Sequence, residues 1–113
     1  MDDVTPLFVA VDRLVDRLRS MPLHRMRRGP AAEGLALARE LAVRAQRLEE
    51  PGRPPRVMPE VAEFTVADQV AVAGHDLAYA LQRAPGGGGG AAGGGGVAEA
   101  VRLVAEAAAR CGV

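Results

Sequence analysis

Phe64–Arg83 reads FTVADQVAVAGHDLAYALQR, and the reading of this stretch decides the fold. Thr65 followed by Asp68 matches a capping box with Asp in place of Glu, a signal for a helix start. Val66, Val70, Ala73, Leu77, Ala80 and Leu81 recur at helical spacing and form one apolar face. Ala67, Ala71, Gly74 and Ala78 form a second face of small side chains, which suits close approach of a neighbouring backbone. The third face carries Asp68, Val72, His75, Asp76, Tyr79 and Arg83. Two packing faces and one polar face predict the central helix of a bundle, over residues 65–83.

Working outward, Thr5 is the expected N-cap of a first helix over 5–21, with Pro6 suited to the first turn. Leu7, Val11, Leu14, Leu18 and Met21 form its stripe, widened by Phe8 and Val15. Pro22 stops it, and the basic run from Leu23 to Gly29 connects to Pro30, which opens a helix over 30–49. Leu37, Leu41, Ala45 and Leu48 form the stripe of that helix, flanked by Leu35 and Ala38, and Glu40 and Arg44 are spaced for an i,i+4 ion pair. Pro51, Pro54, Pro55 and Pro59 then impose an extended course, suited to a connection between helices that are not hairpin neighbours.

Beyond the central stretch, Pro85 ends the helix and Gly86–Gly96 reads GGGGGAAGGGG, a linker with a random-coil reach of roughly 17–20 Å. No Lys-Ser/Thr follows it, so a phosphate-binding loop is excluded. A last helix is expected over 97–111, with Val97, Val101, Val104, Ala108 and Cys111 in register, Leu103 off the stripe, and Glu106 paired with Arg110. Gly112 supplies its stop. The chain therefore reads as an all-α four-helix bundle in a single domain, with one Pro-rich and one Gly-rich connection.

Composition agrees. The 113 residues are 49% hydrophobic but only 3% aromatic, with no Ile, so the core is built from Leu, Val and Ala. Such a core buries little area per residue, which predicts modest stability or oligomerisation. Fourteen basic and 14 acidic residues leave no net charge, and every cation but His is Arg. A balanced chain with few aromatic residues is a poor nucleic-acid binder. Cys111 stands alone, so no intrachain disulfide forms, and a cytoplasmic location is expected. No apolar run is long enough to span a membrane, and the opening Met-Asp-Asp is unlike a signal peptide.

Two sets of residues are candidate sites. Asp68, His75, Asp76 and Tyr79 share the polar face of the central helix, where an imidazole beside carboxylates suits proton transfer or ligand binding. Neither His nor Cys shows metal-ligand spacing, and the lone Ser20 has no nucleophile-elbow context, so no metal, cofactor or catalytic residue is assigned. Arg17, Arg19, His24, Arg25, Arg27 and Arg28 form a basic patch free of acids, suited to an anionic partner. The expectation is a non-enzymatic bundle that binds another protein or itself. The alternatives are a ligand- or metal-binding bundle on the Asp68/His75/Asp76/Tyr79 face, or a DNA-associated regulator on the Arg17–Arg28 patch.

Overall fold

A computed structural model of the chain describes residues 3–59, 65–84 and 96–113. They form five helices: α1 (Thr5–Ser20), α2 (Leu23–Met26), α3 (Pro30–Glu49), α4 (Val66–Arg83) and α5 (Gly96–Cys111). The all-α class and the four long helices match the sequence reading to within a residue at each end. The Pro85 stop and the Gly-rich run through Gly95 lie outside the described residues. The basic connection differs from its expectation: residues 23–26 close a short helical turn, α2, with the Arg25 and Met26 amides donating to the Pro22 carbonyl. Proline at its N-cap and the buried Met26 side chain hold this turn in place.

Two of the expected caps form differently. Val4, not Thr5, is the N-cap of α1, and the Thr5 amide and hydroxyl both donate to the Asp3 carboxylate at 3.0 and 2.7 Å. These two bonds favour the ionised form and hold the Asp3 carboxyl below its usual range. Thr65 is the N-cap of α4 but makes no side-chain capping bond, and Asp68 turns outward to Arg19 of α1.

The four long helices make a square. α4 packs on α3 and α1, α5 packs on α1 and α3, and the pairs α1/α3 and α4/α5 sit across the diagonals. Contacts fix the directions. Asp12 meets His75 and Arg19 meets Asp68, so α1 and α4 are antiparallel. Gly34 lies against Val66, and Glu49 bonds Arg83, so α3 and α4 run parallel. Glu33 pairs with Arg110 at 2.6 Å, which makes α5 antiparallel to α3.

Parallel neighbours cannot be joined by a tight turn, and this is the structural reason for the Pro-rich stretch. After a turn at residues 51–52 the chain runs extended back along α3. Gln46 grips Arg56 from both sides, accepting from its amide at 2.6 Å and donating to its carbonyl at 3.4 Å. Arg39 then donates to the Met58 carbonyl at 2.8 Å, and Gln69 of α4 to the Pro59 carbonyl at 3.0 Å. Proline suits this path because it has no amide to satisfy.

The core is as aliphatic as expected. Leu7, Val11, Leu14, Leu41, Val70, Leu77 and Val104 are fully enclosed, with Ala filling the crossings. The whole predicted apolar face of α4 is buried. Its small-residue face also packs inside the chain: Gly74 sits under Val11 of α1, where a Cβ would lie 2.6 Å from a Val11 methyl. Three expectations need correction. Leu48 is exposed and stands outside the buried core. The stripe of α5 is centred on Ala100, Val104, Ala107 and Cys111, with Val97, Val101, Leu103 and Ala108 packed around it. Arg110 bonds Glu33 of α3 rather than Glu106, which pairs with Arg102 instead. The Glu40–Arg44 pair forms as expected, at 2.7 Å.

Candidate functional site

The polar face of α4 becomes a seam with α1, because the small residues beneath it let the two helices lie close. His75 stands over this seam and donates from Nε2 to the Asp12 carboxylate at 2.8 Å. Its ring also lies against Phe8, with centroids 5.2 Å apart. Tyr79, one turn on, meets the same Phe8 edge to face at 5.5 Å. Asp68 pairs with Arg19 at 2.8 Å, and Arg83 closes the other end of the face on Glu49 of α3. Asp76 is exposed.

Of the four residues singled out from sequence, two therefore hold α1 to α4 through polar contacts, and a third does so through an aromatic ring. The residues that complete the surface are Phe8, read from the sequence as widening the stripe of α1, Arg19, read as part of the basic patch, and Asp12, which the sequence reading did not single out. Their signal was faint: spacings of four and seven residues place them on one side of that helix, but nothing in the sequence names their partner.

The face also exposes apolar surface. Val72 is 58% and Tyr79 49% accessible, and the half-buried Phe8 extends the patch onto α1. A half-exposed Tyr whose ring packs on Phe8 offers an apolar body and a hydroxyl, and tyrosine is enriched in protein interfaces. All of the ion pairs around it are solvent-exposed, so each contributes a few tenths to about 1 kcal/mol. Among the described residues, no three His, Cys, Asp or Glu side chains converge to hold a metal ion.

The basic patch is split by the fold. Arg19 faces α4, whereas Arg25, on α2, reaches toward the end of α5 and donates to the Gly112 carbonyl at 3.4 Å. Arg17, His24, Arg27 and Arg28 are exposed around the end of α1 and the α2 turn. Cys111 is buried and its thiol lies 4.0 Å from the Pro30 carbonyl. Burial, reinforced by Glu33 and partly offset by Arg110, pushes the thiol above its ordinary range. No described helix is long and apolar enough to cross a membrane. No protein-family model matches this chain, and no curated protein or solved structure matches it either.

Proposed function

We propose that this protein is a non-enzymatic helical bundle that works by protein–protein association through its α1/α4 face. The observation that carries the reading is the exposed Val72/Tyr79 pair, with the Tyr79 ring against Phe8, among the charged groups Asp68, Asp76, Arg19 and Arg83. Interfaces have this layout, an apolar and aromatic centre inside a charged rim. His75 and Asp68 are engaged with Asp12 and Arg19, which favours a packing and recognition role over proton transfer.

A photo-crosslinking residue placed at Val72, compared with one at Leu48 on α3, tests this in the native cell. Leu48 is likewise an exposed aliphatic residue, so it controls for nonspecific capture. The expected result is a discrete protein adduct from position 72 that is lost in Tyr79→Glu. Equal, diffuse labelling from both positions refutes the reading.

A further inference from the structure

Helix α5 is held to the bundle differently from the other three long helices. Among the largest fully enclosed side chains, Leu7, Val11, Leu14, Leu41, Val70 and Leu77 come from α1, α3 and α4, whereas α5 contributes Val104. The other buried positions of α5 are Ala100, Ala107 and Cys111. Helix α4, by comparison, buries Val66, Val70, Leu77 and Leu81 along with its small residues. An alanine withdraws far less apolar area from water than a leucine, so α5 is joined less strongly than α1, α3 and α4 are to one another.

Its polar ties are equally uneven. Arg110 pairs with Glu33 at 2.6 Å, the Gly112 carbonyl accepts from Arg25 at 3.4 Å, and the Cys111 thiol lies 4.0 Å from the Pro30 carbonyl. All three ties belong to the last turn of α5 or the residue after it. Arg102, nearer the start, spends its guanidinium on Glu99 and Glu106 of the same helix. Place in the square matters too. Helix α4 packs on both α1 and α3, so those three stay joined without α5, which occupies the corner across from α4. By sequence, the GGGGGAAGGGG stretch that leads into α5 carries no side chain larger than a methyl group.

We propose that α5 is a releasable latch, which leaves and rejoins the body formed by α1, α3 and α4 as one unit while that body stays folded. Its catch is the last-turn cluster of Arg110, Cys111 and Gly112. Units that add little buried apolar surface open at a lower free energy than the whole fold. Release uncovers the sides of α1 and α3 beneath α5, together with the Cys111 thiol. The chain thus carries a conformational switch that operates whether or not the α1/α4 face binds a partner.

Native-state hydrogen exchange of the full chain, read residue by residue by NMR, tests the latch without any substitution. The amides of residues 101–110 are expected to share one opening constant, at least about thirtyfold larger than that of the Val70 and Leu77 amides on α4. Val66→Ala perturbs the body alone, because Val66 lies against Gly34 in the α3/α4 contact. It is expected to speed exchange on α4 about tenfold and to leave α5 within about twofold of the native chain. Arg110→Gln removes the exposed pair with Glu33 and is expected to speed all of the α5 amides alike, about threefold.

A single opening constant shared by α4 and α5 overturns the proposal. So does protection in α5 that rises steadily inward from Cys111, or an effect of Arg110→Gln confined to the last turn, since either means fraying of the end. Equal acceleration of α4 and α5 by Val66→Ala overturns it as well, because α5 then opens only when the whole chain unfolds. If Val66→Ala does not fold, the comparison of α5 with α4 in the native chain decides alone.

Discussion

Gly74→Ala tests whether the α1/α4 seam is set by contact distance rather than by helix preference. A Cβ at position 74 would lie 2.6 and 2.7 Å from the two methyl carbons of Val11 and 3.2 Å from its Cβ. Carbon atoms rest at about 3.5–4.0 Å, so α1 and α4 would have to part by about 1 Å. Rotation of Val11 offers no escape, because a β-branched side chain in a helix is held to one χ1 rotamer and its own Cβ is already close. Overpacking of this kind costs about 1–3 kcal/mol. The gain in helix preference from Gly to Ala returns about 1 kcal/mol. The net effect is a loss of up to about 2 kcal/mol, read as a fall in melting temperature of up to roughly 15 °C by circular dichroism. Helix preference alone predicts the opposite sign. A Gly74→Ala chain that melts at or above the native temperature would refute the close-approach argument. Adding Val11→Ala supplies a second check: the two changes relieve one another, with a coupling of about 1–3 kcal/mol in the double-mutant cycle.

Gly34→Ala is expected to be milder, within about 1 kcal/mol of the native chain in a urea titration. There only one Val66 methyl lies inside contact distance, at 2.6 Å, while the next atoms stand at 3.7 and 3.8 Å. Gln46→Ala removes both bonds to Arg56, so tryptic cleavage of the Arg56–Val57 bond should accelerate while the Arg53–Pro54 bond resists in both chains. Unchanged cleavage would show that the crossing is held by Arg39 and the prolines instead. Cys111 should react slowly with iodoacetamide at neutral pH and at the rate of a free thiol only once the chain is unfolded, because its raised pKa leaves little thiolate. The sign for stability follows: the unfolded thiol ionises first, so the fold binds more protons and loses stability as pH rises through the ordinary thiol range. Cys111→Ala should flatten that alkaline slope in pH-dependent melts.

The helix ends were readable because Pro6, Pro22, Pro30 and Gly112 act through the backbone, which depends on local sequence alone. The crossing between α3 and α4 was readable for the same reason. Features that depend on a second helix were not. Arg110 had an acid one turn away in its own helix, yet Glu33 across the α3/α5 contact takes it. Leu48 fitted the stripe of α3 by spacing, but it stands outside the buried core. Asp68 had the spacing for a capping role, and Arg19 draws it outward instead. The candidate site was half legible. His75 and Tyr79 could be placed on one face from their spacing, whereas Phe8 and Asp12, which give that face its shape, become visible only once α1 is laid antiparallel beside α4.

The crossing from α3 to α4 also works as a measuring device. Helix α4 has 18 residues and is about 27 Å long, and the chain must cover that distance to begin a second helix in the same direction as the first. Residues 50–65 can extend to roughly 50 Å at polyproline spacing, so the connection has slack of about five residues beyond the axial run and a sideways step of one helix width. Part of it is taken up in the turn at residues 51–52. Gln46, Arg39 and Gln69 fix where the returning segment lies, whereas the register between α3 and α4 is fixed by their buried contact, with Gly34 seated against Val66. Evolution can lengthen or trim this strap near its turn without shifting the helices. A change at the three gripping side chains would free this segment from α3, while the buried contacts of α4 with α3 and α1 keep the Val72–Tyr79 face beside Phe8.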